Sequence, residues 1–248
     1  DSAAMLDATG YPEDDAPYAP VPKARPYLDE IQTPPGKLRI AFSTEVPRGI
    51  NPTPDVQKVF DDTVKLLGDL GHTMIEMPKM PIDWRRLYRA QGMVSGGMMA
   101  ANMEELIAKL GEPTPEDLET LALVSWKSAK KLTGAQVATG LQDMRLISRQ
   151  IIALWRDFDV MLSPVTLAPP PEIGHLDPVN LDPKEFNRRQ SFVFGYTPPF
   201  NITGQPSLSL PMGASSTGLP IGMMFTGRYS DEATLYRLAA QIEEARPW

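Results

Sequence analysis

The sequence predicts an α/β fold, part of a mixed, largely parallel sheet flanked by helices, on three observations. A strand, an amphipathic helix and a second strand follow one another between Leu38 and Met77. A further apolar run, Asp159 to Ser163, follows the most clearly capped helix of the chain. Two more strand patterns, Ser207 to Gly213 and Leu219 to Phe225, flank the polar break from Gly213 to Gly218. Spacing allows that last pair to be a hairpin or two strands inserted separately.

The elements follow in order. Asp1 to Ala8 reads as the inside of a helix already under way. Tyr11 to Gly36 carries prolines at 12, 17, 20, 22, 26, 34 and 35, which remove amide donors, so an extended surface connector is expected. Leu38 to Phe42 is a strand, and Thr53 stands as an N-cap before Pro54 at the first helical position. Val56, Val59, Phe60, Val64, Leu67 and Leu70 then recur at helical spacing until Gly71, with a strand at Thr73 to Met77. By chirality such a unit builds a parallel pair.

Trp84 to Trp126 is helical and rich in Met and Ala, broken near Gly111 to Pro115. Thr133 and Gln136 form a capping box, and the helix they open presents Val137, Leu141, Met144, Ile147, Ile151, Trp155 and Phe158 as its apolar face. A proline-rich loop from Pro164 to Pro183 leaves the end of the Asp159 to Ser163 strand. Ligands of open α/β sheets collect there, so the loop is a candidate cleft wall. The last helix starts at Ser230 as its cap, followed by Asp231 and Glu232.

Composition narrows the function. The 248 residues can bury a sizeable core, and a formal charge of −7 opposes phosphate backbones and anionic lipid. No nucleic-acid or membrane partner is expected, since no apolar run approaches the length of a bilayer span. Zero cysteines exclude disulfides and thiol chemistry and suit a cytoplasmic setting. Only two histidines are present, His72 and His175, far apart in sequence, so no metal and no cofactor are expected.

Each candidate for chemistry has a plainer reading. Ser128 and Lys131 have Ser-x-x-Lys spacing, yet Lys127, Lys130 and Lys131 together read as a solvated cationic helix end. His72 follows Gly71 and reads as a capping or surface residue, while His175 lies in the proline-rich loop near Asp177 and Asp182. Glu104-Glu105 and Glu116 to Glu119 resemble exposed helix starts. Trp84, Trp126 and Trp155 are core or interface. Met93-Val94-Ser95-Gly96-Gly97-Met98-Met99 combines small residues with adaptable Met, suited to helix packing or to lining an apolar pocket. Asn201, Thr203 and Gln205 either orient a substrate amide or bond the backbone of their own turn.

The run Phe200-Asn201-Ile202-Thr203-Gly204-Gln205-Pro206-Ser207-Leu208-Ser209-Leu210-Pro211-Met212-Gly213, followed by Gly218-Leu219-Pro220-Ile221-Gly222, resembles the C-terminal signature of the amidase signature family, serine hydrolases of carboxamides. Arg156 to Pro164, the ladder Pro169-Pro170-Pro171 ending in Glu172-Ile173-Gly174, and the closing helix to Pro247-Trp248 look like that family in the same order. The pattern is most similar to the branch that includes the hydrolase of cyclic nylon oligomers.

The resemblance implies a Lys, a Ser in a cis peptide and a nucleophilic Ser, carried on a Gly/Ser-rich segment in the N-terminal half. This sequence has no such segment. The expectation is therefore the C-terminal part of a longer amidase, inactive alone, with no catalytic residue in this chain. Residues 1–36 would be a helix and connector, and 37–248 the C-terminal portion of the α/β domain. Ser95, Thr166, Asn201, Thr203 and Gln205 are the expected substrate-binding residues. The expected partners are a small-molecule amide, the N-terminal half of the enzyme and a possible second copy in a homodimer. A noncatalytic binding or assembly subunit related to amidotransferases is the alternative.

Overall fold

A computed structural model describes every residue except 12–14, 16–17, 19–20, 46–49 and 194. Helix α1 (Ser2–Thr9) opens the chain, and a one-turn helix, α2 (Tyr27–Glu30), interrupts the connector that was expected to be extended throughout. The turn forms because the Asp7 carboxylate accepts from the amides of Tyr27 and Leu28, each at 2.9 Å, where a helix start has no internal partners. Glu30 is buried yet ionised. Arg25 and Arg237 bond its carboxylate at 2.8 and 2.6 Å and hold its pKa down at about 2. The prolines at 12, 17 and 20 lie outside the described residues.

β1 (Arg39–Phe42), α3 (Pro54–Asp69) and β2 (Thr73–Glu76) make the expected βαβ unit, with β1 and β2 parallel. Pro54 opens α3 where an amide donor is not needed. Thr53 stands at the cap position, but its hydroxyl is buried without a partner; its carbonyl accepts from Gln57 N at 2.9 Å and its amide donates to Leu167 O at 2.8 Å. Gly71, at φ +94°, turns the chain out of the helix.

The long helical stretch divides into α4 (Trp84–Leu110) and α5 (Thr120–Ala129). Helix α6 (Gly134–Ala153) starts with the Thr133–Gln136 capping box realised in both directions. Its buried face runs through Gly140, Asp143, Ile147 and Ile151, while Leu141 is 42% exposed. The apolar face read from the sequence is thus turned part of the way round the helix. Asp143 points inward because Arg86 and Arg89 of α4 meet it at 2.6 and 3.2 Å. At Gly140 a methyl group would lie 3.0 Å from Ala90 O, so α4 packs directly on its backbone.

β3 (Val160–Pro164) is buried along its whole length and pairs in parallel with β1. Helices α7 (Pro183–Gln190) and α8 (Pro198–Thr203) follow the proline-rich loop. β4 (Ser207–Ala214) and β5 (Pro220–Thr226) form an antiparallel hairpin, which settles the choice left open by spacing. The sheet order is β2-β1-β3-β5-β4, and β5 alone runs against the rest. Helix α9 (Glu232–Ala245) is capped by Asp231, which accepts from Thr234 N at 3.2 Å. Ser230, expected as the cap, instead takes a left-handed conformation at φ +59° in the turn before it.

Side chains alternate between two layers. Ile40, Val160, Leu162, Leu210, Met212, Met223 and Phe225 face α3 and α9 in an apolar core. Ala41, Met161 and Met224 face the other way, onto Ile147, Ile151, Trp155, Phe158, Leu167, Tyr196 and Phe200. No helix among the described residues is long and apolar enough to cross a membrane.

Candidate functional site

The second layer is where the chain brings remote segments together. At the carboxyl end of β3, Val165 N donates to Gly222 O at 3.3 Å and Leu167 N to Phe192 O at 3.0 Å. Tyr196 reaches across with its hydroxyl to Thr44 O at 2.8 Å, and burial pushes its phenol pKa upward. Gln91 of α4 donates its amide to Pro198 O at 3.1 Å, tying that helix to the start of α8. Ser148 of α6 donates to Ile202 O at 2.8 Å and holds the other end. The loop after β3, the approach to α8 and the first half of α4 therefore form one stitched wall.

Three of the five expected substrate residues lie along this wall. Thr166 is half-buried in the loop after β3, its hydroxyl donating to Ala168 O at 2.8 Å. Ser95 is exposed one turn after Gln91 and donates to its carbonyl at 2.7 Å. Asn201 is exposed on α8, which replaces the loop expected there.

Thr203 and Gln205 are buried and serve the backbone. Thr203 Oγ1 contacts Phe200 O at 3.4 Å and accepts from Gln205 N at 3.3 Å, while Gln205 Nε2 donates to Gly227 O at 2.8 Å. Gly227 follows Thr226, the partner of Met161 at the start of β3. Gln205 and Thr166 thus lie toward opposite ends of β3.

The amino end of β3 is built on charge. Asp159 accepts from Arg39 N at 2.8 Å and from the guanidiniums of Arg39 and Arg228 at 3.0 and 2.8 Å. Burial alone would raise the Asp159 pKa, and these donors bring it down to about 2. This cluster fixes β3 beside β1. Nothing in the sequence periodicity distinguishes Asp159 from the other acids, since its partners lie far off in sequence, on β1 and in the turn after β5.

The remaining candidates take structural places. Ser128 donates back to Val124 O at 2.9 Å, and Lys130 lies 4.7 Å over the Trp126 ring, so the Ser-x-x-Lys spacing serves a helix and its exposed end. His72 is buried, contrary to the surface reading, because it bridges two elements: Nδ1 accepts from Leu38 N at 3.2 Å and Nε2 pairs with Gln241 Oε1 at 2.9 Å. Burial lowers its pKa. Asp177 and Asp182, near exposed His175, cap backbone amides of their own turns. Glu104 and Glu105 sit late in α4 rather than at a helix start, with Glu105 paired to Lys109. Gly96 and Gly97 let α4 meet Leu132 and Val137, where an added methyl would lie at 2.7 Å from each. No cluster of three His, Cys, Asp or Glu side chains that could hold a metal occurs among the described residues.

The family profile described as Amidase matches residues 1–236. The chain belongs to the amidase family. It is 30% identical to the 6-aminohexanoate-cyclic-dimer hydrolase of Paenarthrobacter ureafaciens over 100% of this chain and 52% of that protein. A putative amidase of Mycobacterium leprae is also 30% identical, over 92% of the chain and 48% of its own length. Among solved structures, a 6-aminohexanoate cyclic dimer hydrolase complexed with substrate superposes with a TM-score of 0.85 at 26% identity, across 99% of this chain and 53% of that one. The chain spans about half the length of the curated relatives it matches.

Proposed function

We propose that this chain is the C-terminal portion of a carboxamide hydrolase, supplying the sheet core and one wall of the substrate cleft to a nucleophilic serine carried on sequence outside these residues. The hydrolase would be a cytoplasmic enzyme acting on a small amide. The observation that carries this reading is the 30% identity that runs through the whole chain while accounting for 52% of a cyclic-amide hydrolase.

In such an enzyme a serine alkoxide equivalent attacks the amide carbonyl, its proton passing through a second serine to lysine. Backbone N–H groups stabilise the oxyanion, and water releases the acyl group. This chain contributes Ser95, Thr166 and Asn201 as the polar positions of the wall. Thr203 and Gln205 hold α8 in place and act on substrate only through it. Pairing α4 with α8 through Gln91 keeps Ser95 and Asn201 on one rigid unit.

Hydrolysis of the cyclic 6-aminohexanoate dimer and of an aryl amide tests this, with the chain alone and co-expressed with the half of the Paenarthrobacter hydrolase that it does not match. The expected result is no turnover alone and turnover with the added half. Turnover by the chain alone overturns the placement of the nucleophile. Stable assembly without turnover on any amide favours the noncatalytic subunit.

A further inference from the structure

A groove beside the second layer brings together residues of three segments. It has a volume of about 440 Å³, and Arg149, Trp155, Arg156, Gln205, Arg228 and Tyr229 line it, with Ile152 and Ala153 between the first two arginines. Arg149, Ile152, Ala153 and Arg156 recur at helical spacing along the end of α6 and the single helical turn that continues it, so they share one side. Gln205 comes from the turn before β4, and Arg228 and Tyr229 from the turn after β5. A groove of this size suits a small ligand.

Its charge is unusual for the chain. The formal net charge is −7, yet no carboxylate lines the groove. Glu30, Asp143 and Glu185 each take two guanidiniums, so arginines at those places are neutralised. Arg149 and Arg156 are exposed and have no such partner among the described residues. Arg228 is held in place instead: its Nη2 donates to Phe158 O at 2.9 Å and to Asp159 at 2.8 Å, which leaves Nε and Nη1 unengaged. Asp159 is shared with Arg39, so it offsets only part of this charge.

Two orphaned polar atoms belong to the same lining. Trp155 is 3% exposed, and its Nε1 donor is buried without a partner. Gln205 is 6% exposed; its Nε2 donates to Gly227 O at 2.8 Å, but its Oε1 acceptor is buried with nothing to accept from. Buried polar groups are nearly always paired, and an unpaired one costs stability. One donor and one acceptor are thus left over in residues that line a groove edged by three cations.

We propose that this groove binds a small organic carboxylate that also bears an O–H or N–H donor, as a hydroxy or amino acid does. The guanidinium forks of Arg149, Arg156 and Arg228 take the carboxylate, whose planar geometry Arg matches. Trp155 Nε1 adds a donor, Gln205 Oε1 accepts from the ligand's own donor, and Tyr229 and Ile152 cover its apolar body. Binding here is independent of the hydrolase reading, because it is measured without turnover.

Titration with 4-hydroxybenzoate, followed by NMR of the Trp indole and Arg Nε–H groups, tests it on the chain alone and on its assembly with the unmatched half of the Paenarthrobacter hydrolase. Saturable shifts at Trp155, Arg149 and Arg156 are expected in both samples. Benzoate, which lacks the donor, should bind about 5-fold more weakly, and 4-hydroxybenzyl alcohol, which lacks the charge, at least about 10-fold more weakly. Arg149→Gln and Arg156→Gln, both at exposed positions, should each weaken 4-hydroxybenzoate about 10-fold with the cooperative melt unchanged, while Arg85→Gln, on exposed α4, leaves its affinity as it is. Absent or non-saturating shifts, equal affinity for benzoate or for 4-hydroxybenzyl alcohol, or affinity that survives both groove substitutions each overturn the proposal. Tighter binding of inorganic phosphate overturns it too, in favour of a phosphate site. If only one of the two samples melts cooperatively, that sample decides; binding to a folded chain that disappears in a folded assembly also overturns the proposal.

Discussion

The two faces of the sheet are made differently. The face under α3 and α9 is filled by aliphatic side chains, Phe and the methionines Met212 and Met223, and each of its strands alternates in and out with period two. The opposite face is assembled from α6, α8, the start of α4 and the loop around Leu167, with Met, Trp and Tyr as filling. Trp84 Nε1 and Trp155 Nε1, buried without partners, belong to side chains packed on that face. The first face reports stability. We place the proposed cleft on the second, where separate segments converge at the carboxyl ends of the parallel strands.

The largest test of that contrast is truncation in the first core. Phe225 is 1% exposed, and Phe225→Ala should cost about 3–5 kcal/mol, read as a lowered denaturant midpoint. A loss below about 1 kcal/mol would mean that this layer is not the tightly packed one.

Next is the helix contact on the second face. Gly140→Leu forces a side chain against Ala90 O and Met93, with an expected loss of about 1–3 kcal/mol in thermal or chemical unfolding. Because α4 carries Ser95, the same change should also raise KM in an assembled enzyme. Equal losses of stability with unchanged KM would detach α4 from the cleft.

A smaller effect separates the faces by pH. His72 links the start of β1 to α9 as a neutral ring, since Leu38 N–H needs Nδ1 as an acceptor. Its folded-state pKa lies below the ordinary 6.5 because burial disfavours the imidazolium. The unfolded chain therefore binds the proton first. The stability that this adds is complete above pH 6.5 and declines as pH falls toward and through the folded value. Unfolding free energy measured between pH 8 and 5 should fall more steeply for the native chain than for His72→Gln. Parallel curves would remove His72 from the account.

The smallest expected change in stability is at Ser95. Ser95→Leu on the exposed side of α4 should alter stability by no more than about 0.5 kcal/mol while changing KM for a bulky amide in the assembled enzyme. A folding defect without any change in KM would make Ser95 a packing residue.

Much of the helix and strand pattern was legible in the sequence. Period-3.6 spacing placed α3, turn chemistry at Gly71 and Thr133 placed its end and the start of α6, and alternating Leu and Ser marked β4. What escaped was set by partners remote in sequence. Asp143 turns α6 inward through Arg86 and Arg89, so Leu141 faces out although it fits the apolar repeat. Asp7 induces a helical turn within a proline-rich segment, and Asp231 takes the cap from Ser230 by bonding Thr234 N.

The site was legible in the same uneven way. Asn201, Thr203 and Gln205 are neighbours in sequence, yet a short helix separates the exposed amide from the two buried groups. Thr166 lies beyond the opposite end of β3. Motif resemblance singled out the segment, and hydrogen bonds decided which of its side chains face outward.

The most direct measurement is labelling with a fluorophosphonate probe, followed by mass spectrometry of the modified peptide, on the chain alone and on its assembly with the unmatched half of the Paenarthrobacter hydrolase. The account predicts no modified serine in residues 1–248 in either sample and a single modified serine on the added half. A labelled serine within this chain would contradict it.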